Sequence, residues 1–221
     1  MYNDFYILGA GGQARQVLSI ARNSKPPLNV RGFIDTHVKE CKRLNDLPVI
    51  DEMSTSLLDK KQTIMLNGMG RPNRREVIER MVDEGFRFER LIHPAASIGE
   101  FVSIGDGTVI QSGVQIMTNV ELGNFLLIDL SATVGHDVTI EDYSTVSTGV
   151  NLAGGVRIGK GSWIGSGSVI VENVSIGNNT LVGAGSVVTR DIGNNKLAYG
   201  IPAKVVREIP DVSSALQRRM K

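Results

Sequence analysis

Cysteine is all but missing from this 221-residue chain: Cys41 stands alone, which excludes an intrachain disulfide framework and any cysteine-rich metal site. Net charge is almost as scarce. The 24 basic and 23 acidic residues leave a formal charge of +1, so nothing indicates a polyanion-binding surface, and nucleic acid is not an expected partner. No stretch approaches about 18 consecutive apolar residues. The opening residues, Met1 to Phe5, also lack a basic segment followed by an apolar run. A soluble cytoplasmic protein with no membrane partner is therefore expected.

A strict period is present instead. From Ile98 to Val188 every sixth residue is Ile, Leu or Val without interruption. With 41% of the chain apolar, such a run would arise by chance on the order of once in a million. Six is neither the 3.6 of a helix nor the 2 of a half-buried strand; it matches hexapeptide repeats that coil as a β-helix. Gly follows the apolar residue at 99, 105, 123, 135, 159, 165, 177 and 183, as expected where a tight corner needs a residue free of Cβ strain. The fourth residue after each apolar one is small or Val in nearly every repeat, as at Val102, Thr108, Val114, Ala132, Ser144 and Ser162. Both positions are expected to point inward.

Ahead of the repeats, Phe5-Tyr6-Ile7-Leu8 reads as a buried strand that runs into Gly9-Ala10-Gly11-Gly12-Gln13-Ala14. Val17, Leu18, Ile20 and Ala21 then recur with helical spacing. Gly9, Gly11 and Ala14 fit G-x-G-x-x-A, in which backbone N–H groups approach a phosphate at the helix N-terminus. A second strand, Val30 to Ile34, ends at Asp35, placed to reach a ribose or base. A third, Thr63 to Leu66, runs into Asn67-Gly68-Met69-Gly70, and a helix is expected from Pro72 to about Glu84 with Val77, Ile78, Met81 and Val82 on one face. The pattern suggests NAD, but so short a segment cannot supply both halves of a dinucleotide fold. A half-size α/β unit gripping one nucleotide diphosphate fits better, the alternative being a glycine turn used only for packing. The expected organisation is thus a half-Rossmann-like α/β domain over 1–90, a parallel β-helix over 91–206 and a C-terminal tail over 207–221. The basic end from Val212 to Lys221, with Arg218, Arg219 and Lys221, reads as solvated.

Three hexads make one triangular turn, so each residue stacks on residues 18 away. The residue two after each inward apolar one faces outward. His136 follows Val134 in that way, with Thr118 below it and Gly154, which leaves space beside the ring, above it. Another outward column holds Ser112, Leu130, Thr148, Ser166 and Ala184, mostly small, a shallow groove for a long thin ligand. His136 is either a solvated surface histidine or a general base; an outward site and a neighbouring Asp137 favour the base, since a carboxylate raises imidazole basicity. Adjacent strand residues point opposite ways, so contact between His136 and Asp137 requires a bend. His93, at the domain junction, reads as structural, and His37 lies in a loop. With one histidine in the coil a three-imidazole zinc site cannot form, and no metal is expected.

Taken together, Gly9 to Ala14, Phe33-Ile34-Asp35, Leu91-Ile92-His93-Pro94, the unbroken hexads, Gly135-His136-Asp137 and Gly200-Ile201-Pro202-Ala203-Lys204 resemble the bacterial nucleotide-linked amino sugar N-acetyltransferases of the UDP-N-acetylbacillosamine N-acetyltransferase type. The resemblance spans residues 5 to about 206. It implies a left-handed coil, against the usual right-handed crossover preference. It also implies a homotrimer with acetyl-CoA between neighbouring β-helices and the nucleotide sugar on the N-terminal domain. By the same resemblance His136 is the general base and Asp137 supports its basicity. Gly11, Gly12, Gln13, Asp35 and Thr36 contact the nucleotide sugar, with Gly68 in the matching third loop. Thr145, Gly154, Ser166, Ala184 and Lys204 form the acetyl-CoA set. Asp129 stands where the family has an Asn that contacts the acceptor, and Gln13 and Thr36 also depart from the usual pattern.

The expected reaction is direct transfer in a ternary complex, without an acyl-enzyme: Cys41 lies outside the coil and no second histidine activates a serine. O-acetylation of a sugar or serine would need no nucleotide grip. A non-catalytic scaffold would bind no coenzyme A ester. A nicotinamide-dependent enzyme is a further alternative that NAD binding would reveal.

Overall fold

The computed structural model describes residues 4–35 and 42–217. The chain divides into two compact units, Met1–Pro94 and Ala95–Lys221. The first is α/β; the second is a left-handed parallel β-helix.

In the first unit β1 (Asp4–Leu8) is followed by α1 (Gly12–Asn23), which buries Ala14, Val17, Leu18, Ile20 and Ala21. Then come β2 (Val30–Asp35), β3 (Lys42–Leu44), β4 (Leu47–Asp51), β5 (Thr63–Asn67), α2 (Arg74–Asp83) and β6 (Arg87–Phe88). The sheet order is β3-β4-β2-β1-β5-β6. β1 lies parallel to both β2 and β5, with Leu8 opposite Ile34 and Asn67. The strand order reverses at β1, and such a switch point leaves a crevice beyond the carboxyl ends, where α/β sheets bind ligands.

Two details depart from the sequence reading. A β3–β4 hairpin closes through Asn45 and Asp46, both at positive φ (46° and 65°), with Leu44 opposite Leu47. That is a two-residue primed turn, and Asn-Asp was its only signal. On α2 the buried stripe is Arg74, Ile78 and Met81, spaced by four and three, whereas Val82, expected on that face, is 44% exposed.

The second unit is built from two- and three-residue strands that pair in register with strands 18 residues on. The first face carries Val109–Ile110, Leu127–Ile128, Thr145–Val146, Trp163–Ile164 and Leu181–Val182. The second carries Ser97–Ile98 through Val187–Val188, and the third Val102–Ile104 through Ser175–Ile176. Both inward positions of the hexad are buried beyond the first coil, where Ile98 is 36% exposed and Val102 and Ile104 are half-buried: Ile110, Ile128, Ile164 and Ile170 are fully enclosed, as are Val114, Ala132, Ser144, Val150 and Ser168. Hydroxyls survive inside because they find backbone acceptors, most of them in the coil above. Thr108 Oγ1 donates to the Gly123 carbonyl (2.8 Å), Ser144 to Gly159 (2.8 Å) and Ser162 to Gly177 (2.6 Å), which removes the desolvation penalty of an unmade hydrogen bond.

The corners have a different cause from the one expected. The residue in the left-handed region is the third after the inward apolar one, not the first: Asn119, Phe125, Ser131, Asp137, Tyr143 and Asn173 occupy it at φ between 56° and 61°. Glycines directly after the apolar residue answer to stacking. A Cβ on Gly165 would stand 2.5 Å from Ala184 N and 2.7 Å from Val182 O, backbone atoms that cannot swing aside. Gly165→Ala is therefore expected to destabilise the coil by about 1–3 kcal/mol, as overpacking does, read as a lower midpoint in thermal melting; an unchanged midpoint would contradict this reading.

The 18-residue step ends after Val188. Leu181 pairs with Leu197, two residues early, and Lys196–Gly200 then forms an antiparallel hairpin with Ala203–Glu208. Helix α3 (Val212–Gln217) is not the solvated end expected: Val212 and Ala215 pack with Leu181, Leu197 and Ile209, and Trp163 and Leu216 lie against them. Arg218, Arg219 and Lys221 lie outside the described residues. Among the described residues no helix is long and apolar enough to cross a membrane.

Candidate active site

Thr133–Val134 ends on the second face, and Gly135-His136-Asp137 turns the corner toward Thr139–Ile140 on the third. Asp137 takes the left-handed slot at φ 58°, which supplies the bend that strand geometry alone forbids. His136 Nδ1 and Asp137 Oδ2 meet at 2.7 Å. The imidazole is outward and 57% exposed. The coil above makes room for it at one point: a Cβ on Gly154 would stand 2.6 Å from His136 Cε1 and 2.7 Å from Nε2. Thr118, below in the column, is engaged with the Glu100 carbonyl (2.9 Å).

The second carboxylate oxygen of Asp137 accepts a hydrogen bond from Asn119 Nδ2, one coil below. That bond first, and the one to His136 second, hold the Asp137 carboxyl below its ordinary range. An ionised Asp137 on the Nδ1 edge favours the Nδ1–H tautomer and leaves the Nε2 lone pair to accept a proton from outside. Asn119 was not singled out in the sequence; its only signal is its place 18 residues before Asp137.

Ser166 and Ala184 are exposed, as expected, but at the corner between the first and second faces, so one chain carries them on a different corner from His136. The second face lies between the two corners and holds a cavity of about 540 Å³ lined by Thr133, Asn151, Ala153, Val169, Val171 and Glu172. Asp129 shares the Ser166 corner and is partly buried. Thr145 departs from its expected place: it is 1% exposed on the first face between Leu127 and Trp163, and its hydroxyl makes no hydrogen bond. Lys204 is exposed in the C-terminal hairpin opposite Tyr199.

In the first unit Gly11, Gly12, Gln13, Asp35 and Gly68 come together around a cavity of about 510 Å³ at the crevice beyond β1. α1 starts there with Gly11 as N-cap and no side-chain cap, so its first N–H groups are open to an anion. Asp35 Oδ2 accepts from Ala10 N at 2.9 Å, which ties the end of β2 to the glycine turn. Gly68 serves close packing: a Cβ there would stand 2.4 Å from Ile7 Cγ2 and 3.0 Å from Ala14 Cα. The opposite wall, Arg71, Asn73, Glu76 and Arg80 from the start and face of α2, was missed because polar residues on a helix read as a solvated surface. Arg80 is held by Glu52 at 2.5 Å. Thr36 lies outside the described residues. Among the described residues no group of three or more His, Cys, Asp or Glu could hold a metal ion.

Residues 155–190 match the family model described as bacterial transferase hexapeptide (six repeats). No curated protein matches the sequence at a significant level. Among solved structures the chain is similar to the acetyltransferase domain of PglB from Neisseria gonorrhoeae FA1090, with 26% identity, a TM-score of 0.85, and coverage of 92% of this chain and 100% of that one. The same domain in complex with acetyl coenzyme A gives a TM-score of 0.86. The chain is also similar to a histidine-to-asparagine mutant of perosamine N-acetyltransferase from Caulobacter crescentus, solved with CoA and GDP-perosamine. That match has 28% identity, a TM-score of 0.87, and coverage of 93% of this chain and 98% of that one.

Proposed function

We propose that the chain transfers an acetyl group from acetyl-CoA to the amine of a nucleotide-linked amino sugar. The observation that carries this reading is the outward His136, oriented by Asp137 over the gap at Gly154, in a chain that also opens a glycine-lined crevice. The two similar structures bound to acetyl-CoA, or to CoA and a GDP-sugar, supply the ligand classes. A 4-amino-4,6-dideoxy sugar for a surface glycan is the specific acceptor proposed.

The sugar amine attacks the thioester carbonyl, a C–N bond forms, and His136 Nε2 takes the amine proton. A backbone N–H at the coil corner stabilises the oxyanion. The carbonyl then re-forms as the C–S bond breaks, and CoA leaves as the thiol, taking up the proton that His136 Nε2 received. Gly11, Gly12, Gln13, Asp35, Thr36 and Gly68 hold the nucleotide sugar, and Asp129 faces the acceptor. Gly154, Ser166, Ala184 and Lys204 line the acetyl-CoA path. Thr145 belongs to the same proposed set, although it is enclosed on the first face between Leu127 and Trp163. The working unit in this reading is a homotrimer in which one protomer's histidine corner faces its neighbour's groove, and the separation of the His136 and Ser166 corners within one chain supports a site shared between protomers.

Gly12→Val tests the nucleotide grip. A Cβ at Gly12 meets nothing nearer than Arg15 Nη2 at 4.0 Å, so the substitution is expected to leave the fold intact and intrude on the crevice. Calorimetric titration with UDP, dTDP and GDP should show binding of at least one by the wild type and at least about tenfold weaker binding by the variant. Equal binding by both would remove the crevice from the account.

A further inference from the structure

We propose that Asn119 is a positioning residue for the transfer, the third member of a chain running Asn119–Asp137–His136. This rests on the acetyl-transfer reading above. Asp137 is an exposed carboxylate on a tight turn, and such a group ordinarily rotates freely. Here each oxygen has one partner: Oδ1 accepts from Asn119 Nδ2, and Oδ2 faces His136 Nδ1. Two fixed partners set the carboxylate plane, and with it the edge of the imidazole that carries the proton.

The backbone makes the arrangement stiff. Asn119 and Asp137 both occupy the left-handed slot, at φ 60° and 58°, in successive coils of one column. Asn119 N donates to the Glu100 carbonyl (3.1 Å) and Asp137 N to the Thr118 carbonyl (3.3 Å), so each residue is anchored to the coil beneath it. The slot itself does not demand a carboxamide. Gly155 fills it directly above Asp137, and Asn173 above that lies with Oδ1 over Gly155. At 119 the amide instead reaches upward to a charged oxygen, a charge-assisted bond, stronger than a neutral one.

Asn119→Gly removes the carboxamide while keeping a residue that the slot already accepts at 155. The variant is expected to melt near the wild type and to turn over about tenfold more slowly, with KM for both substrates unchanged. Nitrogen-15 spectra of the imidazoles, with His136→Gln identifying the resonance, should show His136 losing its preference for the Nδ1–H tautomer. That readout needs no substrate and so stands apart from the acetyl-transfer reading. Asn119→Asp, of the same shape but without the donor, should lose at least as much. Unchanged turnover, or a loss of turnover with the tautomer unmoved, would overturn the proposal. Full activity in His136→Ala would instead overturn the reading on which it rests.

Discussion

His136→Ala is expected to lower turnover by about 100- to 10,000-fold with little change in acetyl-CoA affinity, the range that general-base catalysis supplies. The imidazole lies outside the packed interior, 57% exposed, so its removal leaves no cavity and the thermal midpoint should stay at the wild-type value. Without the base, the attacking amine must lose its proton to water, while the residual rate reflects proximity in the ternary complex. Steady-state kinetics separates these effects: a fall in kcat at constant KM is expected. Unchanged turnover would eliminate His136 as the base.

Gly154→Val should come close to the same floor by another route. The added side chain needs the volume now filled by the ring, with Cε1 2.6 Å and Nε2 2.7 Å from the position of a Cβ. The ring is the movable partner, so it rotates away, and the bond to Asp137 that sets its tautomer breaks. Turnover is expected to fall about 100-fold or more with the fold retained, measured by kinetics beside circular dichroism. A Gly154→Val enzyme with wild-type turnover would show that the ring's present position is not the working one.

The coil was legible because its burial rule repeats: Ile110, Ile128, Val146, Ile164 and Val182 are one position seen five times, all buried. The left-handed corner was not, although it has the same period. Its slot holds Gly at 107, 113, 149, 155, 161, 167 and 185 and Asn at 119, 173 and 179, residues that favour positive φ, but the sequence reading places the corner at the glycines directly after the apolar residue, two positions too early. The bend that joins His136 to Asp137 therefore emerged only from the backbone. Asn119 was hidden for a related reason, since its contact spans 18 residues and one coil. In the first unit the glycine turn and Asp35 were readable from motif spacing, whereas the Arg71 and Glu76 wall depends on how α2 is set against that turn. Helix α3 is only six residues long, too short for a periodic pattern, and its burial depends on Trp163, Leu181 and Leu197 lying side by side on one face.

Release of free CoA thiol, followed with one amino sugar offered either linked to a nucleoside diphosphate or free, tests the assignment most directly. The account predicts rapid release with a nucleotide-linked 4-amino sugar and, with the free sugar, release slower by at least about 100-fold, since the crevice beyond β1 then contributes nothing. Equal release with both forms, or none with any nucleotide-linked amino sugar, would contradict it.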